Sequence, residues 1–236
     1  MQKGILYGVG VGPGDPQLLT LKAVAVIQTC GRIAVPGEHK EQTTAYQIVR
    51  QVLPEIETMP CLCIPMPMTK DRQKLASSHA EGARRLIQIL EQGDSVAFLT
   101  LGDPTIYSTY LYLHGRVCAA GYQAEIVSGV PSFCAAAARM GISLAEGAQM
   151  LHIIPSSYTA AEGLELPGTK VFMKAGTKMK MVKEALALGS GGMELYMAQN
   201  CGMENEQIYF SMKDAAQIPD NAGYYSLIIV KEPKNR

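Results

Sequence analysis

Two loops that combine glycine with aspartate carry the residue types best suited to chemistry in this chain. The first, Gly8–Pro16, reads GVGVGPGDP and follows the apolar residues Ile5–Tyr7; the second, Leu101–Pro104, reads LGDP and follows Val96–Leu99. Glycine lets a bound molecule approach the backbone closely, and the neighbouring aspartate adds a hydrogen-bond acceptor. Two such loops at the ends of strands predict an enzyme that acts on a small molecule.

The first loop matches neither of the common nucleotide-binding patterns. A P-loop needs Gly-Lys-Ser or Gly-Lys-Thr after its glycines, and none follows Gly14. The dinucleotide pattern GxGxxG also fits poorly, because Pro13 and Asp15 fall within the turn that would hold the pyrophosphate. Taken alone, this loop fits either a ligand-facing turn or a plain strand-to-helix connection.

The elements that position these loops alternate between strand and helix in the first half of the chain. Thr20 and Thr69 are suitable helix N-caps, and Gly31 and Gly93 are suitable helix ends. The alternation predicts a mostly parallel sheet with helices on both faces, where ligands bind at the carboxyl ends of the strands. The predicted strands cover residues 4–9, 33–35, 95–101 and 124–127, and the predicted helices cover residues 20–31, 41–53, 69–92 and 106–120.

The second half has shorter and more closely spaced strand-like segments. A helix that contains Ala135–Ala138 ends at Gly141, and another helix is predicted over residues 178–188. The spacing of the strands favours a second, mixed sheet, with strands over residues 151–154, 170–174, 194–198, 207–210 and 224–231. The predicted fold class is α/β: two fused α/β domains, residues 1–122 and 123–236, with a cleft between them.

Composition narrows the class of protein. With 236 residues, 47% of them hydrophobic, the chain can form one large or two compact globular domains. Its 21 basic and 21 acidic residues cancel, so net charge favours neither a nucleic-acid nor a membrane partner. No apolar run approaches the roughly 20 residues that span a bilayer, and Gln2-Lys3 leads into a predicted strand rather than a signal-peptide core. We therefore expect a cytoplasmic protein.

No metal site is predicted. The six cysteines lie in apolar segments without CxxC spacing, which favours reduced core residues: Cys30, Cys61, Cys63, Cys118, Cys134 and Cys201. Cys61 and Cys63 would share one face of a strand, and metal or redox use of this pair is the alternative. The four histidines show no metal-ligand spacing: His39, His79, His114 and His152.

Three segments, in order, resemble the best-marked segments of the tetrapyrrole methylases, which are S-adenosylmethionine-dependent enzymes of corrinoid and sirohaem biosynthesis. They are Gly12–Ala23 (GPGDPQLLTLKA), Leu101–Pro104 and Ser128–Phe133 (SGVPSF). The resemblance covers essentially the whole chain and includes the closing strand Tyr225–Val230. Within this family, Pro65–Asp71 (PMPMTKD), with the segment IAVP at residues 33–36, looks like the subgroup that methylates C20 of precorrin-2 or cobalt-factor II.

The resemblance implies that S-adenosylmethionine binds in the cleft between the domains and leaves as S-adenosylhomocysteine. Asp103 would face a polar or cationic part of the cofactor, whereas the position of Lys174 more often carries methionine in relatives. The implied cofactor-binding residues are Leu101, Gly102, Asp103, Ile106, Ser132, Phe133, Met173, Lys174, Asn200, Cys201, Tyr225 and Ser226.

Methyl transfer from a sulfonium is a displacement with a good leaving group, so the protein mainly aligns the reactants and excludes water. No catalytic nucleophile is needed, in agreement with the lack of a Ser-His-Asp or Cys-His arrangement in the sequence. The acceptor carbon must also lose a proton. Tyr107, Asp15 and water are all candidates to accept that proton, and the resemblance does not choose among them.

A tetrapyrrole of this pathway carries eight carboxylates, so a neutral enzyme should present cations locally. Lys70, Arg72 and Lys74 follow Thr69 closely enough to form a carboxylate-binding rim. A solvated helix start is the alternative. The other substrate-binding positions expected are in the first glycine loop: Gly12, Pro13 and Asp15.

Three other functions remain open from the sequence. One is another ring methylase, such as the enzyme that methylates uroporphyrinogen III at C2 and C7 or one that acts at a later corrin step. A second is a relative that acts on a macromolecule, as diphthine synthases and ribosomal RNA methylases do, although no basic stripe with interleaved aromatic residues supports RNA binding. The third is a non-catalytic tetrapyrrole-binding module. The family resemblance also implies a homodimer.

Overall fold

The computed structural model describes residues 2–155, 160–174, 179–189, 192–212, 215–219 and 222–232. The chain divides into two compact units, Met1–Pro131 and Ser132–Arg236. The predicted boundary lay earlier, between residues 122 and 123. The difference arises because the strand at Ala124–Val127 pairs with the first strand of the chain and therefore belongs to the first sheet.

The first unit is built on a five-stranded, all-parallel sheet with the order β3-β2-β4-β1-β5. Parallel neighbours need a crossover between them, and helices supply most of these crossovers. The strands are β1 (Leu6–Gly10), β2 (Arg32–Pro36), β3 (Cys61–Ile64), β4 (Val96–Thr100) and β5 (Ala124–Val127). The helices are α1 (Leu21–Thr29), α2 (Thr44–Val52), α3 (Arg72–Glu91) and α4 (Tyr110–Ala119), with short 3₁₀ turns at Pro16–Leu18, Lys40–Gln42 and Pro54–Glu57.

Apolar side chains cover both faces of this sheet. In the fully buried strand β4, Ala97 and Leu99 join the core cluster that includes residues of α1 and α2. Val96 and Phe98 join the cluster that includes residues of α3 and α4. The continuous apolar run of β4 thus belongs to a central strand, as the sequence predicted.

The second unit contains a mixed sheet with the order β6-β7-β10-β8-β9, in which only β6 and β7 run parallel. This confirms the predicted second, mixed sheet. The strands are β6 (Leu151–Pro155), β7 (Thr169–Met173), β8 (Glu194–Gln199), β9 (Gln207–Met212) and β10 (Ser226–Lys231). The helices are α5 (Ser132–Met140), α6 (Ala160–Leu164) and α7 (Met179–Gly189), with a 3₁₀ turn at Ala215–Gln217.

Three helix starts differ from the prediction. Helix α2 begins at Thr44 instead of residue 41, after the 3₁₀ turn at Lys40–Gln42. Helix α3 begins at Arg72 because Asp71, not Thr69, is its N-cap: the Asp71 carboxylate accepts hydrogen bonds from the backbone N–H groups of Gln73 and Lys74. Helix α4 begins at Tyr110 instead of residue 106. Residue 178, where the predicted helix α7 starts, lies outside the described residues. Among the helices that are described, none has the length and apolarity needed to cross a membrane.

Candidate active site

The two glycine-aspartate loops lie together at the carboxyl ends of the neighbouring strands β1 and β4. The backbone N–H of Gly102 donates to the carbonyl of Gly12 at 2.8 Å, and the N–H of Gly12 donates to the carbonyl of Gly102 at 3.3 Å. Both glycines have positive φ, 76° for Gly12 and 72° for Gly102, which a side chain would strain. The sequence placed both loops at one sheet edge, and the structure joins them directly.

Asp103 ties these loops to the third resembling segment. Its Oδ2 accepts a hydrogen bond from the backbone N–H of Gly129 at 3.0 Å, and its Oδ1 accepts from the N–H and hydroxyl of Thr105 at 2.7 and 2.5 Å. The side chain is buried. A carboxylate has about four acceptor positions, so one remains beyond the three that are used within the protein.

Glycine at two positions, Gly10 and Gly129, lets the backbones approach closely. A Cβ on Gly129 would lie 2.2 Å from the carbonyl oxygen of Gly102, and one on Gly10 would lie 2.5 Å from the nitrogen of Gly129. The hydroxyl of Thr20 adds a 3.5 Å hydrogen bond to the carbonyl of Ser128. The edge of the first sheet is therefore lined largely by backbone.

Thr100 is the residue immediately before the LGDP segment. It is 6% exposed, and its Oγ1 has no hydrogen-bond partner within the described portion of the chain. Buried hydroxyl groups are nearly always paired. Within the described residues, this hydroxyl therefore neither donates nor accepts a hydrogen bond, and it belongs to the residue directly before one of the two joined loops.

The two side chains predicted as candidate proton acceptors, Asp15 and Tyr107, have different surroundings. Asp15 Oδ1 accepts the backbone N–H of Gln17 at 2.8 Å and caps the turn at Pro16–Leu18. Burial raises the pKa of Tyr107, which keeps its phenol protonated at neutral pH. Ile106, which immediately precedes Tyr107, donates its backbone N–H to the carbonyl of Asp103 at 3.2 Å.

The predicted basic rim lies at the start of α3. Lys70, Arg72 and Lys74 are exposed, and no ion pair involving them occurs among the residues that the structure describes. Thr69 accepts the backbone N–H of Asp71 at 3.1 Å and so shapes the turn before the helix. The rim cations are available to an anionic ligand.

In the second unit, six of the predicted cofactor residues lie at one end of the mixed sheet. Met173 ends β7 and Lys174 follows it, whereas Asn200 and Cys201 follow β8. Tyr225 immediately precedes β10, which begins at Ser226. Because β10 pairs antiparallel with both β7 and β8, its start lies beside their ends. The backbone N–H of Asn200 donates to the carbonyl of Tyr225 at 2.9 Å. Ser132 and Phe133 open α5.

Backbone strain coincides with the predicted site residues. Among the described residues, the non-glycine residues with positive φ are Tyr107 (50°), Lys174 (58°) and Asn200 (51°). Such conformations cost about 1–3 kcal/mol each and occur preferentially at binding and catalytic sites. All three positions belong to the predicted set, although asparagine adopts this conformation more readily than lysine or tyrosine.

The sequence comparison decides the family. Residues 5–216 match the family described as Tetrapyrrole (Corrin/Porphyrin) Methylases. The chain belongs to the tetrapyrrole methylases. This confirms the resemblance drawn from the glycine-aspartate loops.

Several tetrapyrrole methylases with assigned names are similar over almost their whole length. The chain is 32% identical to "Probable cobalt-precorrin-2 C(20)-methyltransferase" of Methanocaldococcus jannaschii, covering 97% of this chain and 96% of that one. It is 31% identical to "Cobalt-precorrin-2 C(20)-methyltransferase" of Salmonella typhimurium, covering 97% of each. It is 29% identical to "Precorrin-2 C(20)-methyltransferase" of a Sinorhizobium species, covering 99% and 97%.

Solved structures of tetrapyrrole methylases share the fold. Uroporphyrin-III-C-methyltransferase of Thermus thermophilus superposes with a TM-score of 0.73 at 19% identity, covering 98% of this chain and 95% of that one. A structure of the Thermus enzyme in complex with S-adenosyl homocysteine gives a TM-score of 0.67, covering 97% and 98%. This confirms the fold of two fused α/β domains.

Two contacts near predicted site residues, one in each unit, were not predicted. The Asp-x-Thr spacing of Asp103 and Thr105 is a local signal for the turn that they form. Glu206 binds both the N–H of Gly202 and the side chain of Arg139, but Arg139 lies 67 positions away. No local pattern in the sequence indicates that pairing.

The cysteines and histidines give no metal centre among the described residues, where no group of three or more His, Cys, Asp or Glu side chains could hold an ion. All six cysteines are free thiols. Burial, and to a smaller extent the neighbouring Cys63, raise the pKa of the Cys61 thiol to about 12. A thiol that stays protonated is a poor metal ligand or nucleophile.

Proposed function

We propose that this tetrapyrrole methylase transfers a methyl group from S-adenosylmethionine to C20 of precorrin-2 or cobalt-factor II. The observation that carries the proposal is the similarity, over nearly the full chain, to three relatives named for C20 methylation at 29–32% identity. A "Uroporphyrinogen-III C-methyltransferase" of Pseudomonas aeruginosa is 27% identical and covers 86% of this chain. The C20 reaction is therefore the better supported of the two.

S-adenosylmethionine fits the residues at the end of the first sheet. Its ribose hydroxyls and ammonium group need hydrogen-bond acceptors, and its adenine needs donors and acceptors. Asp103 retains an acceptor position, and the Gly102 region offers backbone groups without side chains in the way. Leu101 and Ile106 are half-buried and would supply apolar contact. When bound, the cofactor supplies an electrophilic methyl group.

In the second unit, we propose that the cofactor contacts the residues at the end of the mixed sheet. Lys174 and Asn200 are held in strained conformations, and Asn200 is bonded to the backbone of Tyr225. Because these groups are already fixed, the protein loses little conformational entropy when it binds and orients a ligand. The remaining proposed contacts are Ser132, Phe133, Met173, Cys201 and Ser226.

The protein's main catalytic task is then to align the methyl donor with C20 and to exclude water from the reacting atoms. No side chain need form a covalent bond. Asp15 caps a turn, and Tyr107 has a raised pKa, so neither is suited to take the C20 proton. We therefore assign that proton to water.

For the substrate, we propose that Lys70, Arg72 and Lys74 bind peripheral carboxylates of the tetrapyrrole. Arginine can hold a carboxylate with two hydrogen bonds, and lysine acts as a point charge. Gly12 and Pro13 are buried beside the joined loops, and Thr69 is half-buried. Any substrate contacts of these three residues would therefore be limited to the few backbone and hydroxyl atoms that remain exposed.

The family also leads us to propose that the protein is a homodimer, which light scattering would measure. We further propose that it is located in the cytoplasm, where its six free thiols are stable.

The decisive experiment is to incubate the protein with S-adenosylmethionine and either precorrin-2 or cobalt-factor II, then analyse the product by mass spectrometry and NMR. One added methyl group at C20 supports the proposal, and the faster substrate identifies the ring that is used. Methylation of uroporphyrinogen III at C2 and C7 would instead support the other ring-methylase function. Cofactor binding without methylation of any of these rings would support a non-catalytic binding module.

A further inference from the structure

One carboxylate holds the loop that follows β8. Glu206 Oε2 accepts the backbone N–H of Gly202 at 2.8 Å, and Glu206 Oε1 accepts Nε of Arg139 at 2.7 Å. The Cys201 thiol also donates to this carboxylate. The Glu206 side chain is 17% exposed. Three donors from two separate segments therefore converge on a largely buried anion.

The loop held by Glu206 is the one that carries Asn200 and Cys201. Within it, the N–H of Met203 donates to the carbonyl of Asn200 at 2.9 Å, and the N–H of Glu206 donates to the carbonyl of Met203 at 3.1 Å. Asn200 keeps a φ of 51° and is bonded to Tyr225. A change at Glu206 would therefore reach Cys201 directly and Asn200 through one turn of backbone.

Arg139 holds the carboxylate from the last turn of α5, the helix that opens with Ser132 and Phe133. Its side chain is 64% exposed. Solvent screens an ion pair in which one partner is this exposed, so a contribution to folding stability alone is a weak explanation for this pair. The carboxylate nevertheless connects two segments that both carry proposed cofactor residues.

We propose that Glu206 is a positioning residue for the S-adenosylmethionine site, with Arg139 holding its carboxylate in place. This inference rests on the proposed function, because it takes Asn200 and Cys201 as cofactor contacts. Glu206 fixes the N–H of Gly202 and the thiol of Cys201, so that the loop is already in its binding conformation before the cofactor arrives. The pair then affects cofactor affinity and leaves the rate of methyl transfer from the bound cofactor unchanged.

The test measures the dissociation constant of S-adenosylhomocysteine by calorimetry and the melting temperature of each variant. Glu206→Gln keeps an acceptor for Gly202 but loses the charge, and we expect roughly tenfold weaker binding. Arg139→Met should weaken binding roughly fivefold, and Arg139→Lys should restore it to within about twofold of the original protein. In the double variant Glu206→Gln with Arg139→Met, the two effects should not add.

A matched control pair lies in α3. Arg84 and Glu81 form an exposed ion pair at the same 2.7 Å separation, in the first unit. Glu81→Gln and Arg84→Met should leave the dissociation constant of S-adenosylhomocysteine within about twofold of the original value.

Once methyl transfer has been measured for the original protein, Glu206→Gln should raise KM for S-adenosylmethionine and leave kcat at saturating cofactor unchanged.

The proposal is overturned if Glu206→Gln binds S-adenosylhomocysteine as tightly as the original protein, or if its effects add to those of Arg139→Met. A fall in melting temperature with unchanged affinity would make the pair a structural tie only. If the original protein binds neither S-adenosylmethionine nor S-adenosylhomocysteine, the proposed function fails and this inference fails with it. If the original protein binds and the variants match it, only the positioning role is lost.

Discussion

The carboxylate of Asp103 and the backbone N–H of Gly129 are joined by a buried 3.0 Å hydrogen bond that spans 26 positions of the chain. The same carboxylate is the strongest candidate to bind a polar group of the cofactor. One side chain thus both builds the loop arrangement and remains able to contact a ligand. Its substitution should affect stability and cofactor binding together.

Asp103→Ala should lower the free energy of unfolding by about 1–3 kcal/mol, because the N–H of Gly129 and the donors of Thr105 lose a charged acceptor. Asp103→Asn should cost less, since its amide oxygen still accepts. Both variants should also bind S-adenosylhomocysteine more weakly. Urea denaturation and calorimetry measure the two effects.

Asp94 provides the control for Asp103. Its carboxylate accepts Nε of Arg32 at 2.9 Å, but both side chains are partly exposed. Asp94→Ala should therefore change the free energy of unfolding by only about 0–1 kcal/mol and leave cofactor affinity unchanged. Equal losses of stability in Asp94→Ala and Asp103→Ala would contradict the assigned role of the buried hydrogen bonds.

Thr100→Val should stabilise the protein without its ligands by about 1 kcal/mol, because valine has nearly the same shape and removes a buried hydroxyl that lacks a partner. Thr169→Val is the matched control, since Oγ1 of Thr169 is also buried without a partner in the described chain. It lies at the start of β7, whereas the proposed cofactor residues of that strand lie at its end.

The two threonine variants separate a packing effect from a ligand effect. Both should have higher midpoints in urea denaturation. If the Thr100 hydroxyl also binds a group of S-adenosylmethionine or of the tetrapyrrole, only Thr100→Val should raise KM for that molecule. Destabilisation by Thr100→Val would show instead that this hydroxyl has a partner in the protein in solution.

The close approach of the loops predicts a strong effect of Gly129→Ala. A Cβ there would lie 2.2 Å from a backbone carbonyl oxygen, which cannot move aside as a flexible side chain can. We expect a loss of about 1–3 kcal/mol in the free energy of unfolding. Gly115→Ala is the control: Gly115 lies in α4 with no neighbour within 4 Å of the added Cβ, so alanine should stabilise that helix by about 1 kcal/mol. Comparable destabilisation of both variants in urea would count against tight packing at Gly129.

Local patterns in the sequence predicted most elements, because strands such as β4 and caps such as Thr20 depend on neighbouring residues. Thr20 does accept the N–H of Ala23 at 3.1 Å. The predicted N-cap of α3 was wrong. Thr69 and Asp71 are both good N-cap residues, and the residue type alone does not show which of them takes that position. The domain boundary was placed too early because the local sequence of β5 does not reveal that this strand pairs with β1. Pairing over long separations, as between Arg139 and Glu206, depends on the assembled fold.

The basic rim gives the last prediction. Lys70→Ala combined with Arg72→Ala should raise KM for the tetrapyrrole and leave the dissociation constant of S-adenosylhomocysteine unchanged, because the lost charges would face substrate carboxylates only. The effect should shrink as ionic strength rises, since salt screens exposed charges. Lys3→Ala is the control: Lys3 is exposed and precedes β1, at the opposite edge of the sheet from the joined loops. Steady-state kinetics at low and high salt measure these effects, and an unchanged KM in the double variant would place the substrate carboxylates elsewhere.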